Sequence, residues 1–124
     1  MHREAEKWTR RSSRPIADCR VFKVRQDNFT NDRTGDAGDF FVIDAPAWSN
    51  VIAVTKDRQL VLIEQFRQGV VETVLEIPGG MIDENEQPLA AAKRELEEET
   101  GYRSEIWVKL GESYPNPAIQ TNRM

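Results

Sequence analysis

Apolar positions recur against a polar background through residues 18–29, where Val21, Phe22, Val24 and Phe29 stand among charged and amide side chains. The pattern predicts a β-strand. Asn31, Asp32, Arg33, Thr34 and Gly35 then collect turn formers ahead of a second apolar run at 40–43, so the two runs form a hairpin. Two more short runs, 51–54 and 60–63, flank Thr55, Lys56, Asp57, Arg58 and Gln59 and predict another strand, turn, strand unit. Residues 74–77 make a further strand. Pro78, Gly79 and Gly80 end it, because proline has no N–H for a ladder and glycine admits dihedrals closed to other residues. Residues 105–110, with Ile106, Trp107 and Val108, predict a last strand before a Pro/Asn-rich loop.

The period changes from two to 3.6 only once. Pro88–Thr100 is the one clear helix: proline suits a first turn, Ala90, Ala91 and Ala92 have high propensity, and Gly101 is placed for a left-handed cap. At 100° per residue Leu89, Ala92 and Leu96 share a stripe that packs, while Ala91, Glu95, Glu98 and Glu99 share another that faces elsewhere. Ahead of all this, residues 1–14 carry Arg3, Lys7, Arg10, Arg11 and Arg14 with Trp8 as the sole large apolar side chain. They read as a flexible arm, extended or disordered, before a domain over 15–124. There is no internal repeat.

Composition narrows the chemistry. The chain has 124 residues, one histidine (His2) and one cysteine (Cys19), too few for a His-dependent triad or a Cys/His zinc site within one chain. One cysteine also forbids an intrachain disulfide, and no apolar run approaches the roughly 20 residues of a spanning helix. The charged start lacks the apolar core of a secretory signal, which predicts cytoplasmic residence and no membrane partner. Seventeen basic against 21 acidic residues, a formal charge of −4, argue against a nucleic-acid partner, since phosphate neutralisation needs a basic surface. A short polyanion remains open, provided that local basic residues or a divalent metal offset the acidity.

The acidic helix face is where such a metal belongs. Glu95, Glu98 and Glu99 stand at i, i+3 and i+4, where like charges oppose a helix by about 0.2–0.5 kcal/mol per pair. They also crowd the C-terminal half, which the macrodipole disfavours for anions. Two readings follow from the helix alone: a solvated face, or a site for a cation, with Mg²⁺ or Mn²⁺ preferred by hard oxygen ligands lacking His or Cys. The flanking residues decide between them. From Gly80 the chain runs five residues to Glu86, seven more, then Arg94, Glu95, Leu96, Glu97, Glu98, Glu99, Thr100, Gly101 and Tyr102. Every fixed position of the signature G-x5-E-x7-R-E-U-x-E-E-x-G-U is filled, with Leu96 and Tyr102 as the bulky apolar U residues.

In these residues the chain resembles the Nudix hydrolase family. The resemblance implies an α/β/α sandwich on a mixed β-sheet, with the signature as a loop–helix–loop cradle for metal and diphosphate. It implies that Glu95 and Glu99 are the principal magnesium ligands, that Glu98 assists and that the Gly79 carbonyl is a backbone ligand. Arg94 would pair with Glu86 and fix the loop to the helix, completing a catalytic set of Arg94, Glu95, Glu98 and Glu99; Gly80, Glu86, Arg94 and Gly101 form the structural motif. The metal, Mg²⁺ or Mn²⁺, would polarise a phosphoryl oxygen and activate water for in-line displacement at phosphorus.

Outside the signature, residues 62–67 (Leu-Ile-Glu-Gln-Phe-Arg), 75–80 (Leu-Glu-Ile-Pro-Gly-Gly) and Pro117 resemble the ADP-ribose pyrophosphatase branch. This implies hydrolysis of ADP-ribose to AMP and ribose 5-phosphate, with Arg67, Glu76, Gly80 and Pro117 as substrate-binding residues. Another NDP-sugar or a dinucleotide is the competing substrate class. The branch also implies a homodimer in which residues before about Phe41 reach the partner's site, and Phe22, Phe29, Phe40 and Phe41 give the early hairpin more apolar surface than an edge hairpin needs. Trp8, Trp48 and Trp107 read as packing residues. The resemblance covers roughly residues 21–122 and is C-terminally short. Without the family's later strand, glutamate loop and helix, the expectation is slow turnover, or a module that binds nucleotide with little or none.

Overall fold

A computed structural model describes residues 5–124 and divides the chain into two compact units, the first of residues up to Ala45 with Tyr114–Asn122, the second of Pro46–Ser113 with Arg123 and Met124. The first unit is an antiparallel meander of β1 (Trp8–Asp18), β2 (Lys23–Asn31) and β3 (Ala37–Asp44), in that order across the sheet. The β2–β3 hairpin is the one expected. Its turn closes because Asn31 Oδ1 accepts from the N–H groups of Arg33 and Thr34, while Gly35 takes a left-handed φ of 80°. A parallel bridge joins Ile43 to Gln120, with Ile43 N–H donating to the Ile119 carbonyl at 2.7 Å. The β structure is therefore mixed.

The expected arm over residues 1–14 gives way for its described part, since Trp8–Asp18 pairs with β2 along its length. A strand needs backbone partners more than apolar side chains, and this one is polar because it lies at the sheet edge. Pro15 sits beside one of its two register shifts, a place where a missing N–H is tolerated. Residues 1–4, the rest of that arm, lie outside the described residues.

In the second unit β4 (Trp48–Asn50) pairs with β7 (Gly79–Met81), and β5 (Ile63–Arg67) forms a hairpin with β6 (Glu72–Glu76), all antiparallel. The unit predicted from 51–54 and 60–63 is reduced to a bridge, Val54 to Leu60, around a turn where it was expected. Proline 78 does stop a strand, but the two glycines after it start β7 rather than a loop. Residues 105–110 are not a strand: among the described residues they find no ladder partner, and Ile106, Val108 and Leu110 are exposed.

Helix α1 spans Pro88–Thr100 as predicted, with proline in the first turn and Gly101 at φ 73° donating its N–H to the Glu97 carbonyl. It lies against β4 and β7. The buried side chains are Ala91, Ala92 and Leu96; Leu89, expected in the stripe, is half exposed, and Ala91, expected on the other face, is fully buried. The acidic face is thus set closer to the protein than the stripe alone suggested. Val51, Ala92 and Leu96 form the core cluster, with Ala53 and Trp107 packed on it. No helix among the described residues is long and apolar enough to cross a membrane.

Candidate active site

The short strand β7 and the helix are joined by residues 82–87, and Arg94 closes that loop. Its Nε and Nη2 donate to the two oxygens of Glu86 at 3.0 and 2.9 Å, and Nη2 also donates to the Met81 carbonyl at 3.1 Å. Glu86 in turn accepts from Asp83 N–H at 3.0 Å. The fork geometry makes this a charge-assisted bidentate pair. The guanidinium holds Glu86 down from 4.5 to about 2, and the carboxylates raise Arg94. The remaining nitrogen, Nη1, donates to Glu95 at 2.7 Å and to Glu98 at 3.4 Å.

Glu99 faces the other side of the loop. Its Oε2 accepts from Gly79 N–H at 2.9 Å and its Oε1 from Gln65 Nε2 at 2.8 Å. The backbone of β7 runs so close to its neighbours here that a side chain on Gly79 or Gly80 would force one of them to move. A Cβ on Gly80 would stand 2.3 Å from Glu95 Oε1, and one on Gly79 would stand 2.4 Å from the Ser49 carbonyl. On the β5–β6 hairpin Arg67 donates Nε and Nη2 to Glu76 at 2.8 and 2.6 Å, which raises Arg67 and lowers Glu76.

Residues 45–123 match the NUDIX domain family. The chain belongs to the Nudix family. Among Nudix relatives, the ADP-ribose pyrophosphatase of Bacillus subtilis (strain 168) is 36% identical over 85 residues, 68% of this chain and 46% of that protein. The ADP-sugar pyrophosphatase of Mus musculus is 51% identical over 47 residues, 38% of this chain and 22% of that protein. The chain spans less than half the length of these relatives. A crystal structure of an ADP compounds hydrolase matches with a TM-score of 0.85 at 23% identity, covering 99% of this chain and 66% of that one. That likeness shows the α/β Nudix fold expected from the sequence.

The Nudix signature therefore folds as a unit: Gly79 and Gly80 lie on β7, Glu86 in the loop that follows, Arg94, Glu95, Glu98 and Glu99 on α1, and Gly101 at its C-terminal cap. Arg67 and Glu76 pair on the adjacent hairpin, and Arg67 also feels the charge of Glu99. Pro117 belongs to the first unit, in the turn that precedes the Gln120 bridge. Gln65 carried no assignment in the sequence. Its signal was its spacing, two residues before Arg67 and so on the same strand face.

Nudix hydrolases use divalent metal ions. Among the described residues no three carboxylates are gathered tightly enough to hold one as they stand, because Arg94 engages Glu95 and Glu98 while Gly79 and Gln65 engage Glu99. The donors nevertheless fit the group. They are hard carboxylate oxygens on one helix face, and a glycine lets a backbone loop lie against them where any side chain would fill the space. A buried acceptor without a partner, Gln65 Oε1, lies at their edge.

Proposed function

We propose that the chain hydrolyses the pyrophosphate bond of a nucleoside diphosphate linked to another group, with Mg²⁺ or Mn²⁺, and that ADP-ribose, cleaved to AMP and ribose 5-phosphate, is the substrate. The observation that carries this reading is the close approach of the Gly79–Gly80 backbone to the carboxylates of Glu95 and Glu99. It is a cradle in which charged oxygens and exposed backbone meet with no side chain between them.

Each part has its task. The Glu86–Arg94 pair fixes the loop to the helix, and Arg94 Nη1 holds Glu95 at the loop. Glu95, Glu98 and Glu99 offer oxygens to the cation, with the Gly79 carbonyl as a backbone donor. The bound ion would polarise a phosphoryl oxygen and favour deprotonation of water. Arg67, whose Nε and Nη2 are taken by Glu76, has Nη1 left to donate to the diphosphate. Gly80 leaves room for the substrate's approach. Relatives of this chain carry the names ADP-ribose and ADP-sugar pyrophosphatase, which supports the choice of substrate.

The same reading takes the chain to act as a cytoplasmic homodimer; Phe40 and Phe41 are exposed on the early hairpin, as an interface would leave them in one protomer. A metal-dependent hydrolysis screen, read as the phosphomonoester products separated by chromatography, tests the activity with ADP-ribose, GDP-mannose, other nucleotide sugars and dinucleotides, each with Mg²⁺, Mn²⁺ or chelator. Release of AMP and ribose 5-phosphate, fastest with ADP-ribose and abolished by chelator, is the expected result. Equal rates with and without chelator would overturn it.

A further inference from the structure

The two ends of the Gln65 amide meet different fates. Its nitrogen donates to Glu99 Oε1 at 2.8 Å, while the other Glu99 oxygen accepts from Gly79 N–H at 2.9 Å, so the carboxylate is gripped at both ends and its plane is set. The amide cannot be turned over, since Oε1 would then face a carboxylate oxygen with no proton between them. With the nitrogen committed, Oε1 is buried and has no hydrogen-bond partner. Buried acceptors are rarely left so, and the missing partner is commonly a water or a bound group. Beside Glu99, taken as a cation ligand, a water carried by the cation supplies such a donor.

We infer that Gln65 is a positioning residue of the cation site, orienting Glu99 through Nε2 and accepting through Oε1 a hydrogen bond from a water that the cation brings. The inference rests on the proposed role of Glu99 as a cation ligand. Strand β5 is well suited to the task, because its hairpin with β6 holds Gln65 opposite Val74 and leaves the side chain free to reach the helix. Residues that orient metal ligands typically alter metal affinity by about 10- to 100-fold when replaced.

The test is Mn²⁺ binding to the whole chain without nucleotide, read from the electron paramagnetic resonance of free Mn²⁺. Q65M keeps the length and removes both amide functions. Its affinity is expected to fall about tenfold, while the metal-free protein melts within about 2 °C of wild type. E99Q should weaken binding further, and the double variant should lose clearly less than the two single losses combined, because Gln65 acts in part through Glu99. Wild-type affinity in Q65M alongside weakened E99Q would overturn the inference alone. Unchanged affinity in E99Q would overturn the reading of Glu99 as a ligand, and this inference with it. Additive losses would show that Gln65 does not act through Glu99. Should Q65M not fold, Q65N carries the same amide on a chain one methylene too short; a tenfold loss is again expected, and wild-type affinity would overturn the inference.

Discussion

Arg25 in the three-stranded sheet and Arg94 on the helix each gather carboxylates, yet the two clusters are built differently. Arg25 donates to Asp27 at 2.9 and 3.1 Å and pairs with Asp44, while Arg10 reaches Asp27 at 3.4 Å. The Asp27 side chain is 1% exposed. Burial pushes Asp27 up, but hydrogen bonds from Ser13, Arg25 and Arg10 outweigh it and hold the carboxyl below its usual value; Arg25 likewise lowers Asp44. All of these partners belong to one meander, and the charges are matched within it. Around Arg94 the carboxylates outnumber the cation, and Glu98 is 61% exposed. A saturated cluster fixes a fold, whereas an unsaturated one, held in place by glycine contacts, is equipped to take a ligand.

Breaking the unsaturated cluster should cost function and breaking the saturated one should cost stability. The largest effect is expected from E99Q, which keeps shape and removes one ligand charge: formation of AMP and ribose 5-phosphate from ADP-ribose should fall about 10³-fold or more, with the urea transition unmoved. D27A reverses the pattern. It strands Arg25 and Arg10 without their shared anion and should cost about 3 kcal/mol in urea unfolding, with Mn²⁺ affinity of the folded fraction unchanged. G80A sharpens the contrast, because the added Cβ meets the end of a flexible side chain rather than backbone. Glu95 can swing away, so stability should hold while Mn²⁺ affinity drops about tenfold.

The smallest effect is a matter of pH. Glu86 titrates at about 2 when folded, below its usual 4.5, so its contribution is fully present above 4.5 and is lost as pH falls from 4.5 toward 2. E86Q should flatten the acid limb of a stability-against-pH curve in that window and leave the neutral region parallel to wild type. An unchanged acid limb would mean that Arg94 holds Glu86 no more tightly than water does.

The helix cluster was legible in the sequence and the sheet cluster was not, for a physical reason. Residues 80–102 are contiguous, and helical spacing turns one-dimensional intervals into neighbours, so Glu95, Glu98 and Glu99 could be placed together before any coordinates, while the resemblance to the Nudix signature implied that Arg94 and Glu86 join them. Asp27 reads as an ordinary polar residue of an alternating strand. Its burial depends on Arg10 arriving from β1, a segment whose arginines and serines gave no strand signal. Residues 105–110 failed in the opposite sense, with strong strand propensity and no partner among the described residues. Leu89 and Ala91 exchanged places because α1 turns Ala91, rather than Leu89, toward the protein.

The bridge from Ile43 to Gln120 has a consequence for how the chain acquires its shape. Hairpin β2–β3 closes over a few residues, but the first unit is not complete until 119–121 return to Ile43, with the whole of Pro46–Ser113 between them. Closing that loop carries an entropic penalty on the order of 2 kcal/mol beyond the hairpin's. During synthesis, at about 5–20 residues per second, the meander therefore waits several seconds with this edge of β3 unpaired while the intervening unit emerges. Among the described residues Gln120 is the last bridge partner in chain order, and it docks on a strand made near the beginning, so the order of assembly follows the order of the sequence.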